Sequence, residues 1–238
     1  LLQVCGGEGE VTVLRADCGR AGEVAIQHIP AELAADTSIT IEAEASASRE
    51  LPASFLLLKQ VLVRSGPLGA VMVSQWGGDS LQCLLEVPGF GGTFDSRVNM
   101  ADDMLACIGL GLQQMAKTGR IHRDIKPGNV SFHAATGSYR LLDFGISIRP
   151  QHEDFFQGFT FAYVEPSMAL VTPDGQYAMA SREGQAAATS LASDIWALCL
   201  TALQMLLRRL PDVLDYERCY GGEEARLDYL DALAAWDP

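Results

Sequence analysis

Through most of the first hundred positions, apolar and polar residues alternate or apolar residues run in short blocks: Glu10 to Leu14, Glu23 to Ile26, Phe55 to Val63, Ala70 to Val73 and Leu81 to Glu86. Period two and short apolar runs predict strands, so this half predicts a sheet. The exception is the stretch from Ala31 to Leu51, rich in Ala and Glu, free of Gly and bracketed by Pro30 and Pro52, which predicts a helix. From about residue 99 the spacing changes. Met104, Ile108, Leu112 and Met115 fall on one face of a helix predicted over Met100 to Lys117, and Gly119 supplies its stop. A second apolar helix is predicted from Ser190 to Leu207. Between the two, Val130 to Phe132 and Tyr139 to Leu142 predict short strands joined by a turn containing Gly137. Positions 146 to 190 read as loops. Glycine-bearing breaks at 77, 88 and 91 mark a hinge, dividing the chain into a strand-rich lobe at about 1–86, a hinge at about 87–91 and a helical lobe at about 92–238.

At 48% hydrophobic and 20% charged, the 238 residues have the composition of a globular chain able to bury a sizeable core. With 17 Lys and Arg against 30 Asp and Glu, the net charge is -13, which argues against nonspecific nucleic-acid binding because phosphates are repelled. No apolar run reaches the roughly 18 residues of a membrane-spanning helix, and the first residues lack the basic start of a signal peptide. A soluble, cytoplasmic protein is the default expectation. The chain lacks an initiator Met and opens inside a predicted strand, so it is expected to be a fragment, truncated at one or both ends. Six cysteines form no Cys-x-x-Cys pair and have no His at short ligand spacing, which argues for free, mostly buried thiols rather than a zinc site.

The segment Ile121-His122-Arg123-Asp124-Ile125-Lys126-Pro127-Gly128-Asn129-Val130 is followed, nineteen residues after Asp124, by Asp143-Phe144-Gly145. Two acids and an amide thus sit on turns flanking a predicted hairpin. Phosphoryl transfer needs a carboxylate beside the attacking hydroxyl and separate oxygen ligands for magnesium, functions that Asp124, Asn129 and Asp143 could supply. The pattern resembles the protein kinase family, whose catalytic loop reads His-Arg-Asp with Asn five residues after the Asp, and whose metal loop reads Asp-Phe-Gly.

The resemblance implies an α+β, bilobal protein-kinase-like fold with the nucleotide between a strand-rich N-lobe and a helical C-lobe. It implies ATP and Mg2+ as cofactors, a protein substrate, and leaves a regulatory partner open. Residue by residue, it makes Asp124 the catalytic base, gives Asn129 and Asp143 to the metal, sets Lys126 against the transferring phosphate in a manner similar to Ser/Thr kinases, and has Thr160 help to seat the substrate hydroxyl. Asp194 would anchor the catalytic loop's backbone. Val4 to Val11 resembles a glycine-rich loop with Gly6, Gly9 and Val11 kept and Val4 in place of the first glycine. Ala25, with Glu86 and Val87 of the hinge, would face the adenine, and Leu85 would guard the deeper pocket.

Departures from the family pattern open a second reading. Val24-Ala25-Ile26-Gln27 resembles the family's Val-Ala-Ile-Lys with Gln27 in place of the lysine that grips the α- and β-phosphates, so a charge is lost. Arg15, on the preceding strand, is a candidate to reach the site instead. Glu42 and Glu44 compete as the helix glutamate. Glu165-Pro166-Ser167 stands where the family has Ala-Pro-Glu, and 44 residues follow Asp194, fewer than a complete helical lobe would have. Ser147 is the sole hydroxyl between Asp143 and Thr160, and Glu153 and Asp154 read either as solvated loop charges or as a partner of Arg123 in place of a phosphate. The leading expectation is phosphate transfer to Ser or Thr of a protein. The alternatives are a pseudokinase that binds or scaffolds, and a small-molecule phosphotransferase of related fold. The pattern of losses and inserts is similar to that of divergent kinases secreted by intracellular parasites, and membership of that group would replace the cytoplasmic expectation with export.

Overall fold

A computed structural model describes residues 2–6, 12–19, 22–34, 44–47, 49–51, 60–66, 69–149, 160–163, 169–171, 177–179 and 190–211. The strand-rich half forms an antiparallel five-stranded sheet from β1 (Leu2–Gly6), β2 (Thr12–Asp17), β3 (Glu23–Ile29), β4 (Gln60–Gly66) and β5 (Gly69–Gln75), in the order β1-β2-β3-β5-β4. Its register aligns Gln27 of β3 with Val13 of β2 and Met72 of β5, and Ala25 with Arg15 and Ser74. Side chains alternate between faces along a strand, so Ala25 and Gln27 share one face with Val13, Arg15, Met72 and Ser74. Val24, Ile29, Ala70 and Met72 are buried in this sheet.

Within the region predicted as one helix lie α1 (Ala31–Ala34), directly after Pro30, and α2 (helical residues 44–47 and 49–50); residues 35–43 lie outside those described. Ala47 and Leu51 turn one side of α2 into the core.

The chain leaves the sheet after Gln75, crosses through Trp76-Gly77-Gly78 and forms the two-residue strand β6 (Asp79–Ser80). The crossing is tight. Gly78 has φ +105, and a Cβ there would stand 2.1 Å from the Phe132 carbonyl oxygen, so only glycine fits. The expectation of a strand over Leu81 to Glu86 is corrected: these residues form helix α3 (Leu81–Glu86), with Ser80 accepting a hydrogen bond from Cys83 N as its N-cap. Leu81 and Leu85 face inward and Leu84 packs beside them, a helical rather than an alternating pattern. Leu81 belongs to the same core as α4 (Phe94–Lys117) and α5 (Leu191–Leu207), so α3 is part of the helical region.

Helix α4 starts six residues before the predicted Met100, because Thr93 caps it by accepting from Ser96 N. Met104, Ile108, Leu112 and Met115 are buried along one face against Ala197, Leu198, Ala202 and Met205 of α5. Ser190 and Ser193 close a capping box at the start of α5. The predicted hairpin is present as β7 (Val130–His133) and β8 (Ser138–Leu141), which join β6 in a three-stranded sheet, with Gly137 at φ +63 in the turn. A second antiparallel pair, β9 (Ala169–Val171) and β10 (Tyr177–Met179), stands where only loops were expected. Among the described residues no helix is long and apolar enough to cross a membrane. Cys18, Cys83, Cys107 and Cys199 are free thiols, but three of them are exposed and Cys107 is half-buried, not the buried set that composition suggested.

Candidate active site

The turn between α4 and β7 is held from below. Both carboxylate oxygens of the buried Asp194, near the start of α5, accept backbone hydrogen bonds at 2.8 Å, one from His122 N and one from Arg123 N. These bonds support Arg123 in the left-handed region at φ 76, a conformation that strains a residue with a side chain. Burial pushes the Asp194 carboxyl above its ordinary range, and His122 together with the two backbone N–H groups works against that rise. The buried His122 ring packs against Phe144 with centroids 5.1 Å apart, and its Nε2 lies 3.1 Å from Leu142 O. The segment around His122 and the segment around Asp143 are therefore packed as one unit.

On that support the structure brings together Asp124, Lys126, Asn129 and Thr160. Thr160 Oγ1 donates to Asp124 Oδ1 at 2.7 Å. Lys126 Nζ lies 3.0 Å from Asp124 Oδ2 and donates to Thr160 Oγ1 at 3.0 Å. Asn129, in a 3-10 turn (Pro127–Asn129), donates from Nδ2 to Asp124 O and Oδ2, both at 2.8 Å. The Asp124 side chain is 12% exposed and that of Lys126 is 20% exposed, so solvent screens this ion pair only in part.

Asp143 stands at the other side, also left-handed at φ 57, with Oδ1 accepting from Gly145 N at 3.1 Å. The next residue's N–H donates to α2: Phe144 N reaches Glu44 Oε2 at 3.0 Å. Glu44 thus meets the site, and Glu42 lies outside the described residues. Burial, then the neighbouring Asp143 carboxylate, push the Glu44 carboxyl up to about 8, with the Phe144 N–H opposing. Asp143 is exposed, and its carboxylate and the Asn129 side-chain oxygen are of the hard-oxygen kind that magnesium takes. Asn129 commits its Nδ2 to Asp124 and leaves Oδ1 as the oxygen it could offer.

The nucleotide-facing assignments fare unevenly. Gly6 lies at the end of β1 opposite Val13, in the row that continues to Gln27, whereas Gly9 and Val11 lie outside the described residues. Ala25 and Gln27 share a face of the sheet. Leu85, Glu86 and Val87 are not at the junction of sheet and helices, which corrects the hinge assignment. They end α3, and the Leu85 and Val87 carbonyls accept from Arg208 Nη2 at 2.7 and 2.8 Å, beyond the end of α5. The crossing is at Trp76-Gly77-Gly78, where Ser131 Oγ donates to Gly77 O at 3.0 Å.

Arg15 does not fill the place of the missing lysine. Its guanidinium donates to Glu23 Oε1 at 2.6 and 2.9 Å and lies 5.0 Å over the Trp76 ring, at the crossing end of the sheet. Glu153 and Asp154, the candidate partners of Arg123, lie outside the described residues, as do Glu165, Pro166 and Ser167.

Residues 6–217 match the protein kinase domain family. The chain belongs to the protein kinase family. With its kinase domain go the α+β bilobal fold and, in general terms, protein phosphorylation as the family's chemistry. The domain is similar to the serine/threonine-protein kinase Tao of Drosophila melanogaster, at 31% identity over 44% of this chain and 9% of that protein. It is also similar to the serine/threonine-protein kinase sid1 of Schizosaccharomyces pombe, at 32% over 40% of this chain and 18% of that one. Protein kinase YpkA of Yersinia pestis is 38% identical over 24% of the chain and 7% of its own length. The chain thus spans less than a fifth of the length of Tao and of sid1.

Sequence reasoning favoured Glu44 over Glu42 by a narrow margin and left both out of the site, because Gln27 leaves no lysine opposite them. It also missed the cluster of Glu50, Arg120, Ser147 and Arg149 behind the site. No motif marks that cluster, since its members come from three distant segments.

Proposed function

We propose that this kinase domain transfers the γ-phosphate of ATP, with Mg2+, to Ser or Thr hydroxyls of a protein substrate. The observation that carries the proposal is the geometry at Asp124, whose carboxylate already accepts a hydroxyl at 2.7 Å and has an ammonium at 3.0 Å. In this reading Asp124 receives the proton of the substrate hydroxyl as that oxygen bonds to phosphorus and the bond to the leaving ADP oxygen breaks. Lys126 follows the negative charge on the transferred group. Thr160 orients Asp124 and lines the path of the incoming hydroxyl, while Asn129 fixes the carboxylate from the other side. Asn129 and Asp143 would hold Mg2+, which when bound neutralises charge on the phosphate oxygens.

A second reading, a pseudokinase that binds without appreciable turnover, is favoured by a specific observation. Gln27 carries no charge at the position where the family's lysine would grip the phosphates, Arg15 is engaged with Glu23, and Glu44 turns to the Phe144 N–H.

One comparison separates the two: Mg2+-dependent phosphate transfer to a basic protein substrate by the wild type, Gln27→Lys and Asp124→Asn. The proposal expects transfer by the wild type and a loss of about 100-fold or more in Asp124→Asn. A silent wild type with transfer gained in Gln27→Lys would establish the pseudokinase reading instead.

A further inference from the structure

Helix α2 meets the segment after Asp143 at both of its ends. At one end is the bond from Phe144 N to Glu44. At the other, Glu50 Oε2 accepts from Arg120 Nη2 at 2.6 Å and from Arg149 Nη2 at 2.9 Å, while Glu50 Oε1 accepts from Ser46 Oγ at 3.0 Å within the helix. Arg120 is 6% exposed. It turns Nη1 to Ser147 Oγ at 3.0 Å, and Ser147 Oγ donates on to Phe144 O at 2.7 Å. Both backbone polar groups of Phe144, the neighbour of Asp143, are therefore tied to α2: its N–H directly through Glu44, its carbonyl through Ser147, Arg120 and Glu50.

A single carboxylate shared by two guanidinium groups, one of them buried, is hard to dispense with. Without Glu50, Arg120 keeps a buried charge that the Ser147 oxygens can solvate but not neutralise. On β3, a glutamine at 27 cannot form an ion pair with Glu44.

We propose that Glu50 and Arg120 are positioning residues that clasp α2 to the Asp143–Arg149 segment, in place of an ion pair from β3, and so set the placement of Asp143. Its effect on rate rests on the phosphotransfer reading; the clasp itself does not.

The test combines residue-resolved hydrogen exchange with steady-state kinetics on the 238-residue chain, for the wild type, Glu50→Gln, Ser147→Ala, and Glu50→Gln combined with Gln27→Lys. Losing a hydrogen bond to a charged group should raise exchange at the Phe144 amide about tenfold or more in Glu50→Gln. Ser147→Ala, which only opens the carbonyl arm, should raise it less, and α5 should keep its protection in both. The kcat should fall by a similar factor with the KM for ATP nearly unchanged. Gln27→Lys should restore protection and rate to Glu50→Gln by giving Glu44 a partner.

Unchanged exchange at Phe144 would overturn the proposal. So would protection lost equally through α4 and α5, which marks a general stability residue, and so would loosened exchange with unaltered kcat. A wild type that transfers no phosphate sinks the phosphotransfer reading alone, and the exchange comparison still decides the clasp.

Discussion

Each charged group at the centre of the site is held by a neighbour of a different kind, and the removal of each has its own signature. Thr160→Ala takes one donor from Asp124 and one acceptor from Lys126, so the kinase reading expects kcat to fall about tenfold, with Thr160→Ser recovering most of it. Glu44 gives a pH signature. Its folded pKa of about 8 lies above the ordinary 4.5, so the folded chain keeps a proton that the unfolded chain releases between those values. Stability should therefore decline as pH rises from about 4.5 to about 8 and level off beyond, and Glu44→Gln should flatten that slope in urea unfolding. Glu50 has the opposite sign. Its hydrogen bond from Arg120 holds the carboxyl below the ordinary range, so its contribution is present above 4.5 and is lost as pH falls through the lowered value. A slope left unchanged in Glu44→Gln would contradict this account of Glu44.

Among the elements, α4 and α5 carry most of the helical packing. Ile108, fully buried between them, should cost about 2–5 kcal/mol when cut to Ala, measured by denaturant unfolding. Helix α3 shows where pattern reading stops. Six residues with apolar side chains at 81, 84 and 85 satisfy a short buried strand as well as one helical turn and a half, and length cannot arbitrate. The Ser80 cap and the burial of Leu81 against α4 and α5 settle it as a helix. The same misreading displaced the expected hinge by about ten residues, since a strand at 81–86 would have carried the sheet past its real end at Gln75. By contrast the α4 stripe was legible, because four apolar residues spaced at 104, 108, 112 and 115 have no reading as a strand.

At the scale of the whole chain, the net charge is -13. The kinase reading expects kcat/KM for an Arg- and Lys-rich peptide to fall as salt is raised, and that for a neutral peptide to change little. The family and the candidate site's motifs were readable from the sequence, because Asp124, Lys126, Asn129 and Asp143 are local in the chain and their spacing is set by a turn and one hairpin. The division into a sheet followed by helices was readable too, since periods of two and of 3.6 are properties of neighbouring residues. What the chain order could not decide was which distant residues meet. Thr160 lies 36 residues from Asp124, and Glu50 lies 70 from Arg120 and 99 from Arg149. Whether Arg15 serves the site or Glu23, and whether Glu44 turns to β3 or to Phe144, depends on strand register and helix packing. These are long-range contacts selected by burial of the whole core, and only the tertiary structure decides them.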